Sequence, residues 1–135
     1  MKKILFVCVE NAGRSQIAEA FFKKYAQDKF YVSSAGTKPI SKVHPTVSQV
    51  MKEVGIDIEN KIPQSLSNEM LDNSIAVNMG CIDKESCPAL FVKDVLDWGI
   101  SDPKGKSIDE VRKIRDQIEN KVKELIKNLE EQSHA

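Results

Sequence analysis

An apolar run near the N-terminus contains no polar residue that could face water. Residues 4–9 read ILFVCV, which lacks the alternation of a half-exposed strand. A continuous apolar run of this length is typical of a strand buried on both faces, as in a parallel sheet covered by helices. Two lysines precede it, as in a signal peptide, but the run is short and no small-residue cleavage site follows it. We therefore predict a first strand and no leader.

Strand and helix patterns alternate along the rest of the chain. Apolar residues at helical spacing predict a helix over residues 15–25 and a second over residues 44–55, with Pro45 near its start and Gly55 at its end. The final helix begins with a capping box formed by Ser107 and Glu110.

Three further strands are predicted. They lie at FYVSSAG, at SIAVNMG and within Leu90 to Val95, and the first of them ends at Gly36. Strands that alternate with helices require parallel crossovers. We therefore expect one α/β domain over residues 1–135, with an open sheet covered by helices. Ligands of such sheets bind beyond the carboxyl ends of the strands.

Composition limits the kinds of partner. Twenty basic residues balance twenty acidic ones, so no net charge would recruit nucleic acid or a membrane surface. No apolar run approaches the roughly 20 residues of a membrane span. Three cysteines in a chain without a leader indicate the cytoplasm, where thiols are more often reactive than structural. We expect a cytoplasmic monomer with a local site for a small anion.

Cys8 lies at the end of the first predicted strand, and Arg14 and Ser15 open the helix that follows. The loop between them consists of Val9, Glu10, Asn11, Ala12 and Gly13. A loop of this length between strand and helix can curl until several N–H groups face one centre above the positive end of the helix. The spacing therefore predicts a binding loop for a tetrahedral oxyanion.

The residue types at the two ends of this loop suggest chemistry as well as binding. Arg14 would donate a bidentate pair of hydrogen bonds to the anion, and the same positive surroundings would favour the thiolate form of Cys8. Ser15 could donate a hydrogen bond to that thiolate. The alternative is a buried cysteine and a solvated arginine that meet by chance. The strand before the loop and the helix after it favour the nucleophilic site.

The sequence VCVENAGRSQIAEAFF resembles the low-molecular-weight phosphotyrosine phosphatase superfamily, and above all its arsenate reductase branch coupled to thioredoxin. SSAGT, WGISDPKGK and the final helix follow in the order that this family shows. The resemblance implies a three-layer fold with an open four-stranded parallel sheet flanked by helices. It also implies arsenate or phosphate as the bound oxyanion, no bound cofactor, and thioredoxin as the external reductant.

Asp102 precedes Pro103 in WGISDPKGK. Proline biases the preceding residue towards an extended conformation, so the pair marks a loop that could project a carboxyl group. Asp-Pro is also a common turn, and the spacing alone does not distinguish the two. The resemblance implies that Asp102 is the general acid. The phosphatases carry tyrosines after this pair, whereas this chain has Lys104 and Lys106, which argues against an aryl phosphate substrate.

Cys81 and Cys87 lie six positions apart, with Gly80, Asp83, Ser86 and Pro88 providing turns that could bring the thiols together. The residues also allow a pair of small buried side chains. A metal pair is unsupported because the spacing is wrong and no histidine is near, so we expect no metal there.

The resemblance implies a relay in which Cys81 attacks Cys8 and Cys87 then attacks Cys81, which leaves a Cys81–Cys87 disulfide for thioredoxin to reduce. Two other functions remain open, namely a phosphatase that hydrolyses a phosphomonoester through a phosphocysteine intermediate, and a redox-sensing module.

Two departures from the family pattern affect the predicted site. Glu10 stands where many members have glycine, and its carboxylate is expected to point away from the anion, which it would otherwise repel. Asn11, Glu19 and Ser34 match positions that hold a monovalent cation in some relatives. Gln64 stands where those relatives use an acid, so the sequence does not decide whether a cation binds.

Overall fold

The computed structural model describes residues 2–80 and 95–133. Strands and helices alternate in it as the sequence patterns predict. The strands are β1 (Lys3–Cys8), β2 (Tyr31–Gly36), β3 (Ser74–Asn78) and β4 (Val95–Asp97), and the helices are α1 (Arg14–Ala26), α2 (Pro45–Glu53), α3 (Asn68–Leu71) and α4 (Ile108–Ser133). A single 3₁₀ turn at Gln27–Lys29 links α1 to β2.

The four strands form one sheet in the order β2-β1-β3-β4, and every neighbouring pair is parallel. The continuous apolar run of β1 is explained by this order, because β1 lies inside the sheet and both its faces are covered. The register pairs Cys8 with Gly36, so the first two strands end side by side. The predicted parallel sheet flanked by helices is confirmed.

The faces of the sheet carry cores of different size. Ile4, Phe6 and Cys8 point into the larger core, which α1, α2 and α4 cover. Leu5 and Val7 point to the opposite face, where the described part of the core is smaller and includes Leu71 of α3. Alternate residues of a strand face opposite sides, so each face of β1 supplies part of a different core.

The predicted helix ends agree with the structure to within a residue or two. Pro45 is the first residue of α2, and Gly55 follows that helix with φ of +82°, a conformation that glycine adopts without strain. The Oγ of Ser107 accepts a hydrogen bond from the N–H of Glu110 at 3.3 Å and donates one to the Oε1 of Glu110 at 3.1 Å, so the two predicted residues pair at the start of α4.

Two elements differ from the sequence-based expectation. The short helix α3 was not predicted, because four residues are too few to show helical periodicity. The fourth strand was predicted within residues 90–95, but the structure has it at Val95–Asp97, and residues 90–94 lie outside the described part of the chain. Within the described residues, this edge strand is partly exposed. In residues 2–80 and 95–133, no helix is both long and apolar enough to cross a membrane.

Candidate active site

The loop between Cys8 and Arg14 lies at the carboxyl edge of the sheet, and its carbonyl groups are held by the surrounding chain. Segment 37–44, which follows β2, donates most of these hydrogen bonds. They run from the N–H of Thr37 to Cys8 O (3.3 Å), of Lys38 to Val9 O (2.8 Å), of Ile40 to Glu10 O (3.3 Å) and of His44 to Ala12 O (3.0 Å). The side chain of Gln16 binds Asn11 O at 3.0 Å, and the N–H of Ile17 binds Gly13 O at 3.0 Å.

These contacts have a direct consequence for anion binding. Within the described part of the chain, the N–H groups of residues 10–14 have no protein acceptor, although the carbonyls of residues 8–13 are all engaged. A loop with paired carbonyls and free N–H groups is polarised to receive a negative ligand. The first turn of α1 begins at Arg14, so the positive end of that helix adds to the effect.

The loop conformation depends on two special backbone positions. Asn11 has φ of +52°, in the left-handed region that asparagine tolerates better than most residues. Gly36 ends β2 directly beneath the loop. A Cβ added at Gly36 would lie 2.5 Å from the carbonyl oxygen of Val9 and 2.9 Å from the N of Asn11. Only glycine therefore lets the loop rest this closely on the second strand.

The thiol of Cys8 is buried and lies 2.9 Å from the hydroxyl of Ser15. The Nδ2 of Asn11 donates a hydrogen bond to that same hydroxyl at 2.8 Å. Because the serine oxygen already accepts from Asn11, its own hydrogen is free to point at the sulfur. The geometry therefore suits Ser15 as a donor to a Cys8 thiolate.

The hydrogen-bond chain continues away from the sulfur to a buried carboxylate. Asn11 also donates to the hydroxyl of Ser34 at 2.9 Å, and Ser34 donates to the Oε1 of Glu19 at 2.6 Å. A carboxylate can only accept hydrogen bonds, so the Ser34 hydroxyl must donate to Glu19. The oxygen of that hydroxyl is then left to accept the hydrogen bond from Asn11.

Glu19, one of the residues considered for a cation site, is paired with lysines. Its Oε2 lies 2.9 Å from the Nζ of Lys23 and 3.6 Å from that of Lys61. Gln64, which stands where some relatives use an acid, donates its N–H to the Oδ1 of Asn11 and its side-chain amide to the carbonyl of Ser34. Among the described residues, no group of three histidine, cysteine, aspartate or glutamate side chains could hold a metal ion.

Arg14 is buried and held in place by the segment that carries the predicted acid. Its Nη1 donates a hydrogen bond to the carbonyl oxygen of Ile100 at 2.7 Å, and its Nη2 lies 3.8 Å from the Oδ2 of Asp102. Asp102 itself is more than half exposed and accepts a hydrogen bond from the N–H of Lys104 at 3.0 Å. Pro103 is buried, and a Cβ at Gly13 would lie 3.1 Å from its Cγ, so the two loops are in contact.

A cavity of about 220 Å³ lies between these two loops. It brings together the predicted nucleophile Cys8, the predicted anion ligand Arg14 and the predicted acid Asp102. The other lining residues are Val9, Glu10, Gly13, His44 and Lys104. The volume lies below the 300–1,000 Å³ of sites for drug-sized ligands and suits a small anion. Ser15 is not among the lining residues, but its hydroxyl lies 2.9 Å from the Cys8 sulfur.

His44 and Lys104 line the cavity although the sequence patterns do not place them there. In the structure, the two carboxylate oxygens of Glu10 lie 3.1 Å from the Nε2 of His44 and 3.4 Å from the Nζ of Lys104. Two features of the sequence could have pointed to them. His44 ends the segment that follows the strand beside β1, and Lys104 is two residues from Asp102.

Cys81 and Cys87 lie outside the described residues, so the structure does not test the predicted relay. The described part of the site contains one cysteine, Cys8.

The fold and the cavity define an α/β protein with a cysteine in a cavity at the carboxyl edge of a parallel sheet. A family model described as low molecular weight phosphotyrosine protein phosphatase matches residues 3–135. Because this match covers nearly all of the chain, the chain belongs to that family. The resemblance found in the sequence is thereby confirmed.

Two relatives share most of their length with this chain. A putative arsenate reductase of Halobacterium salinarum is 38% identical over 133 residues, which cover 91% of this chain and 89% of the relative. A glutaredoxin arsenate reductase of Synechocystis is 37% identical over 131 residues, which cover 96% of this chain and 99% of the relative.

The solved structures that resemble this chain include arsenate reductases and a phosphatase. An arsenate reductase in a phosphate-binding state superposes with a TM-score of 0.83 at 35% identity and covers 95% of this chain and 98% of its own. A thioredoxin-dependent arsenate reductase from Corynebacterium glutamicum gives 0.80 at 35% identity and covers 96% of this chain, which spans 62% of that longer chain. An arginine phosphatase from Geobacillus stearothermophilus gives 0.81 at 26% identity, with 98% and 95% covered.

Proposed function

We propose that this protein reduces arsenate to arsenite, with Cys8 as the nucleophile. The observation that carries the proposal is one cavity lined by the Cys8 thiol, the Arg14 guanidinium and the Asp102 carboxylate. Relatives named arsenate reductase, 37–38% identical over nearly their whole length, support the choice of arsenate.

The first step forms a bond between the Cys8 sulfur and arsenic. The loop N–H groups and Arg14 hold the arsenate oxygens while the thiolate attacks. One arsenic–oxygen bond breaks, and the oxygen leaves as water with a proton from Asp102. Ser15 stabilises the thiolate before the attack through its hydrogen bond to the sulfur.

The second step transfers two electrons. The thiolate of Cys81 attacks the sulfur of Cys8, the sulfur–arsenic bond breaks, and its electron pair stays on arsenic, which leaves as arsenite. The product on the protein is a Cys8–Cys81 disulfide. Cys87 then attacks Cys81, which frees the Cys8 thiolate and leaves a Cys81–Cys87 disulfide. An external dithiol reduces this bond and becomes a disulfide itself.

Thioredoxin is the proposed reductant. The solved arsenate reductase of Corynebacterium glutamicum is thioredoxin-dependent, whereas the Synechocystis relative is named a glutaredoxin arsenate reductase. A disulfide made of two protein cysteines can be attacked directly by the dithiol of thioredoxin, with no need for glutathione. Turnover with purified thioredoxin or with glutaredoxin and glutathione, each supplied alone, decides between them.

The test of the function uses fully reduced protein, one equivalent of arsenate and no reductant. We expect the free thiols to fall from three to one, arsenite to be released, and peptide mapping to find a Cys81–Cys87 disulfide. In Cys8→Ser no disulfide forms. Three thiols that persist alongside rapid cleavage of an aryl phosphate would contradict the reductase.

A phosphatase is the second candidate, because the same cavity suits phosphate. The structural likeness to an arginine phosphatase supports it. Against an aryl phosphate substrate, none of the described residues that line the cavity is phenylalanine, tyrosine or tryptophan. Hydrolysis that survives Cys81→Ser and Cys87→Ser, without any reduction of arsenate, would favour the phosphatase.

A further inference from the structure

The mouth of the cavity is bridged by two oppositely charged side chains from different loops. Glu10 belongs to the anion loop, Lys104 follows Asp102, and both line the cavity. The Oε2 of Glu10 lies 3.4 Å from the Nζ of Lys104. The side chain of Lys104 is 62% exposed and that of Glu10 is 27% exposed, so this Glu10–Lys104 bridge lies where the cavity meets solvent.

We infer that Glu10 and Lys104 determine specificity: their bridge restricts the cavity to free inorganic oxyanions and disfavours anions attached to an organic group. The inference rests on the proposed function, because it names the class of substrate that the same site admits. A free tetrahedral anion fits beneath the bridge. A phosphate or phosphonate with an organic substituent must pass its substituent out through the mouth, where the bridged side chains lie.

His44 supports Glu10 from the other side. Its Nε2 lies 3.1 Å from the Oε1 of Glu10, so both carboxylate oxygens are held at the rim. A carboxylate in an anion-binding loop would repel the ligand if it turned inward. Contacts with Lys104 and His44 hold the carboxylate between them, so the acidic residue contributes to the mouth of the cavity.

The bridge can be removed without disturbing the acid. The N–H of Lys104, which binds Asp102, belongs to the backbone and is unchanged by substitution of the side chain. Pro103 is buried and anchors the loop against Gly13 independently of the lysine. Changes at the Lys104 side chain should therefore act on the mouth and on local charge only.

Two variants distinguish a steric barrier at the mouth from an effect of charge on anion binding. Glu10→Gln removes a negative charge near the cavity, so inorganic phosphate should bind more tightly. Lys104→Met removes a positive charge, so inorganic phosphate should bind more weakly. Both variants abolish the ion pair of the bridge, because Glu10→Gln leaves an uncharged amide and Lys104→Met leaves no donor. If the bridge is a barrier, both should improve the binding of an organic phosphonate relative to inorganic phosphate, although their effects on charge are opposite.

The experiment measures how inorganic phosphate and benzylphosphonate, whose carbon–phosphorus bond is not hydrolysed, protect Cys8 from iodoacetamide. The Cys8 peptide is quantified by mass, which separates it from Cys81 and Cys87. We expect the ratio of the two dissociation constants, phosphonate over phosphate, to fall about threefold or more in each variant. Lys106→Met removes the same charge from the same loop and should leave the ratio unchanged.

The proposal is overturned if the ratio stays constant in both variants, or if it rises in one and falls in the other. The double variant Glu10→Gln/Lys104→Met should show the ratio of either single variant, since a bridge can be broken only once. Thiol counts of the wild type with arsenate are measured separately. A wild type that reduces no arsenate refutes the proposed function, whereas an unchanged ratio refutes only the role of the bridge.

Discussion

The Nη2 of Arg14 lies 3.8 Å from the Oδ2 of Asp102, so the proposed anion ligand and the proposed acid meet across one small cavity. The carbonyl of Ile100 holds the Nη1 of the same guanidinium at 2.7 Å. One arginine therefore ties the start of α1 to the loop that precedes α4. In the proposed mechanism, this side chain therefore places the anion ligand beside the proton donor.

Replacing Arg14 by lysine should weaken phosphate binding by about tenfold to a hundredfold. Lysine keeps the charge but has no planar pair of donors, so it cannot bind both Ile100 and two anion oxygens. The loss corresponds to one charge-assisted hydrogen bond, about 1.5–3 kcal/mol. Titration calorimetry with phosphate measures it. Arg115→Lys is the matched control, since Arg115 contacts Glu53 and Asp116 away from the cavity. Equal affinity in the wild type and Arg14→Lys would contradict the role.

Replacing Ser15 by alanine should slow the alkylation of Cys8 by iodoacetamide at neutral pH by about tenfold. The substitution removes the hydrogen-bond partner that lies 2.9 Å from the sulfur and stabilises the attacking group in the proposed mechanism. It also leaves the Nδ2 of Asn11 with one acceptor fewer. The exposed Ser101 provides the control variant Ser101→Ala. Unchanged alkylation of Ser15→Ala would show that the hydroxyl does not act on the sulfur.

Replacing Asp102 by asparagine should lower the rate of arsenite release by about 10²- to 10⁴-fold, because the proton donor to the leaving oxygen is lost. Binding of arsenate should hold or improve, since a negative charge beside the anion is removed. Single-turnover kinetics and a separate binding titration distinguish the two effects. Asp97→Asn, a carboxylate outside the cavity lining, serves as the control. A variant that loses affinity but keeps its rate would rule out the role as acid.

Replacing Gly36 by alanine should destabilise the protein by about 1–3 kcal/mol and weaken phosphate binding. The added Cβ would meet backbone atoms of the anion loop at 2.5 and 2.9 Å, and neither can move without distorting the loop. Gly13→Ala is the comparison, since its nearest contact is a side-chain carbon of Pro103 at 3.1 Å. Urea denaturation should rank Gly36→Ala as the less stable variant. The reverse order would show that the loop does not depend on this close approach.

Replacing Glu53 by glutamine should lower the thermal midpoint at neutral pH, and the difference should disappear in acid. The hydrogen bond from Arg112, together with the charges of Arg112 and Arg115, holds the pKa of the Glu53 carboxyl below its usual range. A lowered pKa in the folded state gives stability that is complete above the unfolded pKa and is lost as the pH falls through the folded pKa. Melting curves between pH 7 and pH 3 test this.

The exposed Glu131 provides the control variant Glu131→Gln, which should melt like the wild type at every pH. A deficit of Glu53→Gln that persists at pH 3 would mean that the side chain stabilises the contact between α2 and α4 by packing and not by charge.

The fold could be predicted because its signals are local. The continuous apolar run of β1, Pro45 at the start of α2 and the capping box of Ser107 each act within a few residues. The short helix α3 gave no such signal, and the signal for the edge strand β4 was displaced towards residues 90–95. Their places are set by pairing with Ala76–Asn78 and by packing of Leu71 on the sheet.

The candidate site also has one part that local sequence signals predict and another that depends on tertiary contacts. By itself, the sequence determined the place of the loop between β1 and α1, and the spacing from Cys8 to Arg14 predicts a nucleophilic site there because it has few other uses between a strand and a helix. Only the tertiary structure decided the rim, where His44 and Lys104 hold the carboxylate of Glu10 from segments 34 and 94 residues away along the chain. Contacts at such separations depend on how the strands are ordered in the sheet, and no local pattern of residues records that order.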